Sequence, residues 1–248
     1  MATANPAMNE SVYQRAGFAD ASTSVMTLEG TVFKTAVLLV ILMGGAICSW
    51  TPSISTTPLS GGLMTIGFLG GFVMAMVTIF VPRISPYTSP VYAGLEGLAL
   101  GGVSSLFEKS YPGIAIQAVG LTFGVLAVML GLYGTRIVQV TEKFKIGVIA
   151  ATGAICLVYL VDMVMSFFGA RIHFIHDAGW VGIGFSLVVV GIAALNLILD
   201  FDFIEQGVRR QAPKYMEWYG AFSLMVTLVW MYLEILRLLA KTRGGSRN

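Results

Sequence analysis

The chain has 248 residues, of which 56% are hydrophobic and 11% charged, less than half of the roughly 25% charged residues found in soluble domains. One globular core cannot absorb so much apolar surface, which excludes an ordinary soluble domain and assigns the surplus to lipid. A net charge of +2, with basic residues scattered among loops, excludes a nucleic-acid-binding stripe, so no nucleic acid is expected as a partner.

The first 30 residues are polar, carrying Glu10, Arg15, Asp20 and Glu29. They lack an apolar core directly behind a basic start, so the segment reads as a cytoplasmic N-terminal extension and not as a cleaved signal. A membrane domain over 31–241 follows, and then a short polar tail, 242–248. Within the membrane domain seven segments have the roughly 20 mostly apolar residues that a spanning helix needs. They lie near 32–50, 61–81, 91–107, 114–133, 146–168, 180–203 and 220–240. The third is the shortest and has to include Glu96.

Prolines fall between the segments: Pro52 and Pro58 in the first loop, Pro82, Pro86 and Pro90 in the second, Pro112 before the fourth segment and Pro213 before the seventh. Trp50, Tyr111, Tyr133, Trp180, Trp218 and Tyr219 sit at segment ends, as interfacial anchors do. With the N-terminus inside, the inner loops hold Arg83, Arg136, Lys143, Lys145, Arg209, Arg210 and Lys214 against Lys109 and Arg171 outside, which orients the N-terminus to the cytoplasm. Lys241, Arg243 and Arg247 in the tail are the dissenting feature. The two cysteines, Cys48 and Cys156, lie in apolar runs and suggest neither a disulfide framework nor a zinc site.

Charged side chains at membrane depth cost about 2.5–3.5 kcal/mol by insertion scales, so each one asks for a reason. Four carboxylates qualify: Glu96, Asp162, Asp200 and Glu234. Glu96 sits among Gly94, Gly97, Gly101 and Gly102, where a second backbone can approach; it is either a packed, hydrogen-bonded side chain or part of an ion path. Asp162 is expected to partner Arg171 or the loop that follows it. Asn196 and Asp200 are four residues apart and share a helix face, while Asp202 turns away. Asp202 and Glu205 are expected at the solvated cytoplasmic end, Glu205 pairing with Arg209.

Glu234 has two readings: a local pair with Arg237 three residues on, or a side chain that faces the bundle and meets Asp200. Two carboxyls in a dry interior cannot ionise independently, so such a pair would be a pH switch and, deprotonated, a set of hard oxygen ligands for Ca²⁺. His173, His176 and Asp177 cluster in the loop after the fifth segment, a weak metal signal. No Gly-rich phosphate loop, zinc-protease motif or catalytic triad is present, so enzymatic activity and a cofactor are not expected.

These residues together carry a resemblance. The stretch Tyr92 to Gly97, the run Asp200-Phe201-Asp202-Phe203-Ile204 and the run Tyr232-Leu233-Glu234-Ile235 in a seven-helix hydrophobic chain resemble the Bax inhibitor-1 family, also called transmembrane BAX inhibitor motif proteins. The likeness is to a bacterial member with a polar N-terminal extension starting near Asn5-Pro6. It implies an all-α bundle with the seventh helix at its centre, in a bacterial cytoplasmic membrane, and a pH-sensitive Ca²⁺ leak. It further implies that Asp200 and Glu234 form the proton-sensing pair, with Glu234 replacing the family's aspartate. The family's arginine in helix two has no counterpart inside the second segment, since Arg83 only follows it. A second role open to such a protein is regulatory binding of a membrane protease or another membrane complex, which needs no conduction.

Overall fold

The computed structural model describes residues 25–50, 58–169, 172 and 179–245. Among them the chain forms seven α-helices: α1 Leu28–Trp50, α2 Pro58–Phe80, α3 Ser85–Ser110, α4 Ile114–Gly134, α5 Glu142–Phe167, α6 Trp180–Arg209 and α7 Met216–Gly245. A single 3₁₀ turn, Pro82–Ile84, joins α2 to α3. All except α3 are long and apolar enough to cross a membrane. The His173, His176 and Asp177 cluster and Arg171 lie outside the described residues.

Local chemistry sets several boundaries. Thr141 precedes α5 with extended backbone and its hydroxyl accepts the Phe144 amide at 3.2 Å, which satisfies one of the free N–H groups of the first turn. Gly113 enters α4 at φ 78°, a left-handed angle that favours glycine. At the end of α6, Gln211 takes the same region at φ 51°; the Ala212 amide then donates back to Gly207 and the Gln211 amide to Val208, closing the helix.

The third helix departs most from expectation. It is not the shortest segment but runs for 26 residues, and it takes in Pro86 and Pro90, which the sequence pattern placed in a loop. Pro86 lies in the first turn, where its missing donor has no helical partner to lose, whereas Pro90 stands inside the helix and forgoes the bond to the Pro86 carbonyl. Pro58 likewise opens α2 instead of ending the loop before it.

By contact the described chain divides into two compact units, one comprising residues up to Ser110 with Asp200–Val226, the other Tyr111–Leu199 with Thr227 onward. In the first unit α3 is buried between α1 and α2. A Cβ added to Gly97 would collide with the Leu42 carbonyl, and one on Gly101 with Ser49 and Ala46, all on α1. From the other side a Cβ on Gly67 of α2 would lie 2.6 Å from the Ala99 amide nitrogen. Glycine therefore lets three backbones touch, and a helix covered by protein needs little apolar surface of its own. That is why α3 fails a hydropathy test that its neighbours pass.

In the first unit α3 also meets the beginning of α7. Tyr92 packs edge-on to Phe222 at 5.0 Å, and the Ser85 hydroxyl donates to the Tyr215 carbonyl at 3.0 Å. In the second unit α7 is held to α4 by Arg243, which donates to the Pro112 carbonyl at 2.9 Å and to Gln117 at 2.8 Å. Lys241 holds it to α6, donating to Ser186 at 2.8 Å and to the Gly182 carbonyl at 3.0 Å. Of the six apolar helices α7 is the most enclosed, with 67% of its apolar span buried against 17% for α1.

Candidate functional site

In the second unit the buried acid is Glu234, 2% exposed on α7. Arg237, one helical turn on, donates through Nη1 to its Oε1 at 2.9 Å. Tyr159 of α5 completes the arrangement: its hydroxyl donates to the same carboxylate at 2.9 and 3.0 Å and accepts from Arg237 Nη1 at 2.9 Å. The guanidinium also lies 5.2 Å from the centre of the Tyr159 ring, whose edge meets Phe185 of α6 at 6.2 Å. The acid, the base and the phenol thus form a closed ring of hydrogen bonds, and each pins the rotamer of the other two. Of the two sequence readings of Glu234, the local ion pair with Arg237 is present, enlarged by a tyrosine that the sequence did not single out.

The other predicted residues are placed as follows. Asp200, 1% exposed, is in α6 and belongs to the first unit. Asn196, one turn before it and in the second unit, donates to Thr152 of α5 at 2.8 Å and to the Ile192 carbonyl. Asp202 accepts from Gln206, and Glu205 pairs with Arg209 at 2.5 Å, as the i to i+4 spacing predicts. Asp162 accepts the Ile172 amide at 2.9 Å, so its partner includes the loop after α5. Glu96 is 8% exposed on α3, and a Cβ on Gly71 of α2 would come within 2.7 Å of its Oε2: this glycine makes the room for the carboxyl.

A second built cluster, absent from the sequence reading, lies in the first unit. Glu217, fully buried in the first turn of α7, forms ion pairs with Lys34 of α1 and, at 2.7 Å, with Lys214. It also accepts the Thr27 amide and hydroxyl, both at 2.8 Å. Lys34 was legible in principle, as a cation inside the run Val32-Phe33-Lys34-Thr35-Ala36. Its partner, 183 residues away, was not.

Among the described residues no group of three or more His, Cys, Asp or Glu could hold a metal ion.

A chain of membrane-length helices that carry ion-paired and hydrogen-bonded carboxylates inside apolar runs is an integral membrane protein of the helical-bundle class. More narrowly, the chain belongs to the Bax inhibitor 1 like family, whose model matches residues 5–244. No curated protein and no solved structure matches the chain.

Proposed function

We propose that the protein is a passive, non-enzymatic cation leak of the membrane, responsive to pH, with Ca²⁺ as the transported ion. Asp200 and Glu234 are the residues that exchange protons and meet the ion. The observation that carries this reading is the pair of acids at 1% and 2% exposure within α6 and α7, helices of spanning length. An intramembrane carboxylate is expensive, and its usual return is an ion or proton path.

In this reading α3 spans the membrane as a seventh crossing. Its 26 residues give about 39 Å at the ideal rise, longer than the roughly 30 Å hydrocarbon layer. Its glycine contacts with α1 and α2 remove the need for a lipid-facing surface. The enclosure of α7 favours the central position that the family resemblance implies. The distribution of lysine and arginine favours a cytoplasmic N-terminus in the inner membrane of a bacterium.

Arg237 balances the charge of Glu234 and the Tyr159 hydroxyl donates to it, contacts that support a closed resting form in this reading. The arginine that the family draws from helix two is supplied here from within α7. Conduction in this reading requires the ring of Glu234, Arg237 and Tyr159 to loosen.

The experiment is ion flux in vesicles that contain only the purified protein. Ca²⁺ entry that depends on pH supports the leak. Vesicles that stay ion-tight at every pH, together with a membrane protease complex that co-purifies when the protein is extracted from its native membrane, would replace it by the regulatory-binding role.

A further inference from the structure

Residues 25–27 approach α7 as an extended strap. Val25 forms an antiparallel bridge with Pro213, and the Met26 amide donates to the Ala212 carbonyl at 2.8 Å, so the strap runs backbone to backbone along the turn between α6 and α7. The Met26 side chain is 1% exposed, and its terminal methyl would lie 3.5 Å from a Cβ on Gly220 of α7. Thr27 then gives both its donors to Glu217, while its hydroxyl accepts the Gly30 amide at 3.1 Å and so starts α1. The carboxylate occupies the space where Gly30 would carry a Cβ, and Lys34 and Lys214 close over it. Residues 25–27 thus bond to or pack against one short stretch, 212–220, that ends the α6–α7 turn and begins α7, and Lys34 of α1 adds an ion pair to it.

We propose that this strap is a release device: it lets the N-terminal segment control the α6–α7 turn and the first turns of α7. The bonds are arranged in series along the direction in which the chain enters, Val25 first, then Met26, then Thr27. A pull or a binding event on the residues upstream peels them one after another. Once Thr27 leaves, Glu217 loses two of its donors and α1 loses its first-turn acceptor together. Strap and turn therefore open as one unit. The same helix carries Glu234 further on, so the strap also sets conduction; that last step rests on the proposed leak.

The test is amide hydrogen exchange on the full chain in lipid nanodiscs, read over residues 26–31 and 212–217. Glu217→Gln keeps the volume and removes the charge; it is expected to speed exchange in both segments together by about tenfold, because the bonds from Thr27 on one side and Lys214 on the other lose their charged acceptor. A second variant guards against simple misfolding. Val25→Cys with Pro213→Cys, in a chain with Cys48→Ser and Cys156→Ser, allows the strap to be locked by mild oxidation. Oxidation should slow both segments to or below the wild-type rate, also when Glu217→Gln is present, and reduction should reverse it. Exchange that rises in only one segment, or in neither, overturns the coupling. Vesicles of the locked chain separate the two claims. If the wild type leaks and locking changes nothing, control of conduction by the strap is wrong. If the wild type is ion-tight while exchange stays coupled, the leak reading fails and the strap stands.

Discussion

Arg237→Gln is the change whose consequence the structure specifies most fully. It removes the cation from a carboxylate that is 2% exposed and leaves Tyr159 as the donor that the structure shows. Breaking a fully buried ion pair from one side costs about 3–5 kcal/mol because the remaining charge stays desolvated. Arg237 is 39% exposed, so solvent already screens part of the pair, and a discounted loss of about 1–3 kcal/mol is expected. The reverse change, Glu234→Gln, leaves an arginine that water can reach and costs less, about 1 kcal/mol or below. The double variant should lie nearer to Glu234→Gln than to the sum of the two, because the second substitution removes the charge that the first stranded. For a chain of this size each kcal/mol moves the melting temperature by about 2–4 °C. Thermal unfolding of the purified protein, followed by fluorescence, reads all three variants. Equal losses for the two single changes, or strict additivity in the double, would refute the closed ring around Glu234.

Other expectations follow from named contacts. Tyr159→Phe keeps the ring over Arg237 and against Phe185 but deletes the hydroxyl, so it should lower stability by about 1.5–3 kcal/mol, the range for a hydrogen bond to a charged group. An effect within 0.5 kcal/mol by the same melting assay, about the size of an unremarkable surface change, would show that the hydroxyl is not needed. Gly97→Leu should abolish folding of the first unit, because a side chain there meets the Leu42 carbonyl on α1, whereas Gly44→Ala, with open space around it, should express and melt like the wild type. Detergent-stable yield separates the two. Asn196→Leu removes the bond to Thr152 between α6 and α5 and should cost about 1–2 kcal/mol, with Thr152→Val removing the same bond and the pair non-additive.

How far the sequence reveals this protein depends on the distance over which each signal acts. The apolar runs place six of the helices to within six residues at each end, because lipid imposes its length requirement on every segment separately. The same test misjudges α3, whose environment is two other helices; its glycines at 97 and 101 were visible, but not that Leu42, Ala46 and Ser49 would face them. Pro90 misled for a related reason: it stands inside α3, where packing against α1 and α2 outweighs the helix-breaking tendency that the sequence pattern reads. Local ion pairs such as Glu205 with Arg209 and Glu234 with Arg237 follow from helical spacing alone. Tyr159 could not be anticipated, because a tyrosine in an apolar run reads as packing until its hydroxyl has a partner, here 75 residues away. Glu217 was hidden in the same way: in sequence it has Lys214 three residues before it, and its pairing with Lys34 and Thr27 exists only after α1 and α7 begin side by side.

The central claim, that buried acids in α6 and α7 govern passage of cations, is tested most directly by Ca²⁺ flux into proteoliposomes across a range of pH, comparing the wild type with Asp200→Asn and with Glu234→Gln. The account predicts a wild-type flux that changes with pH and a flat profile in each variant at matched protein density. A wild-type profile reproduced unchanged by both variants would contradict it.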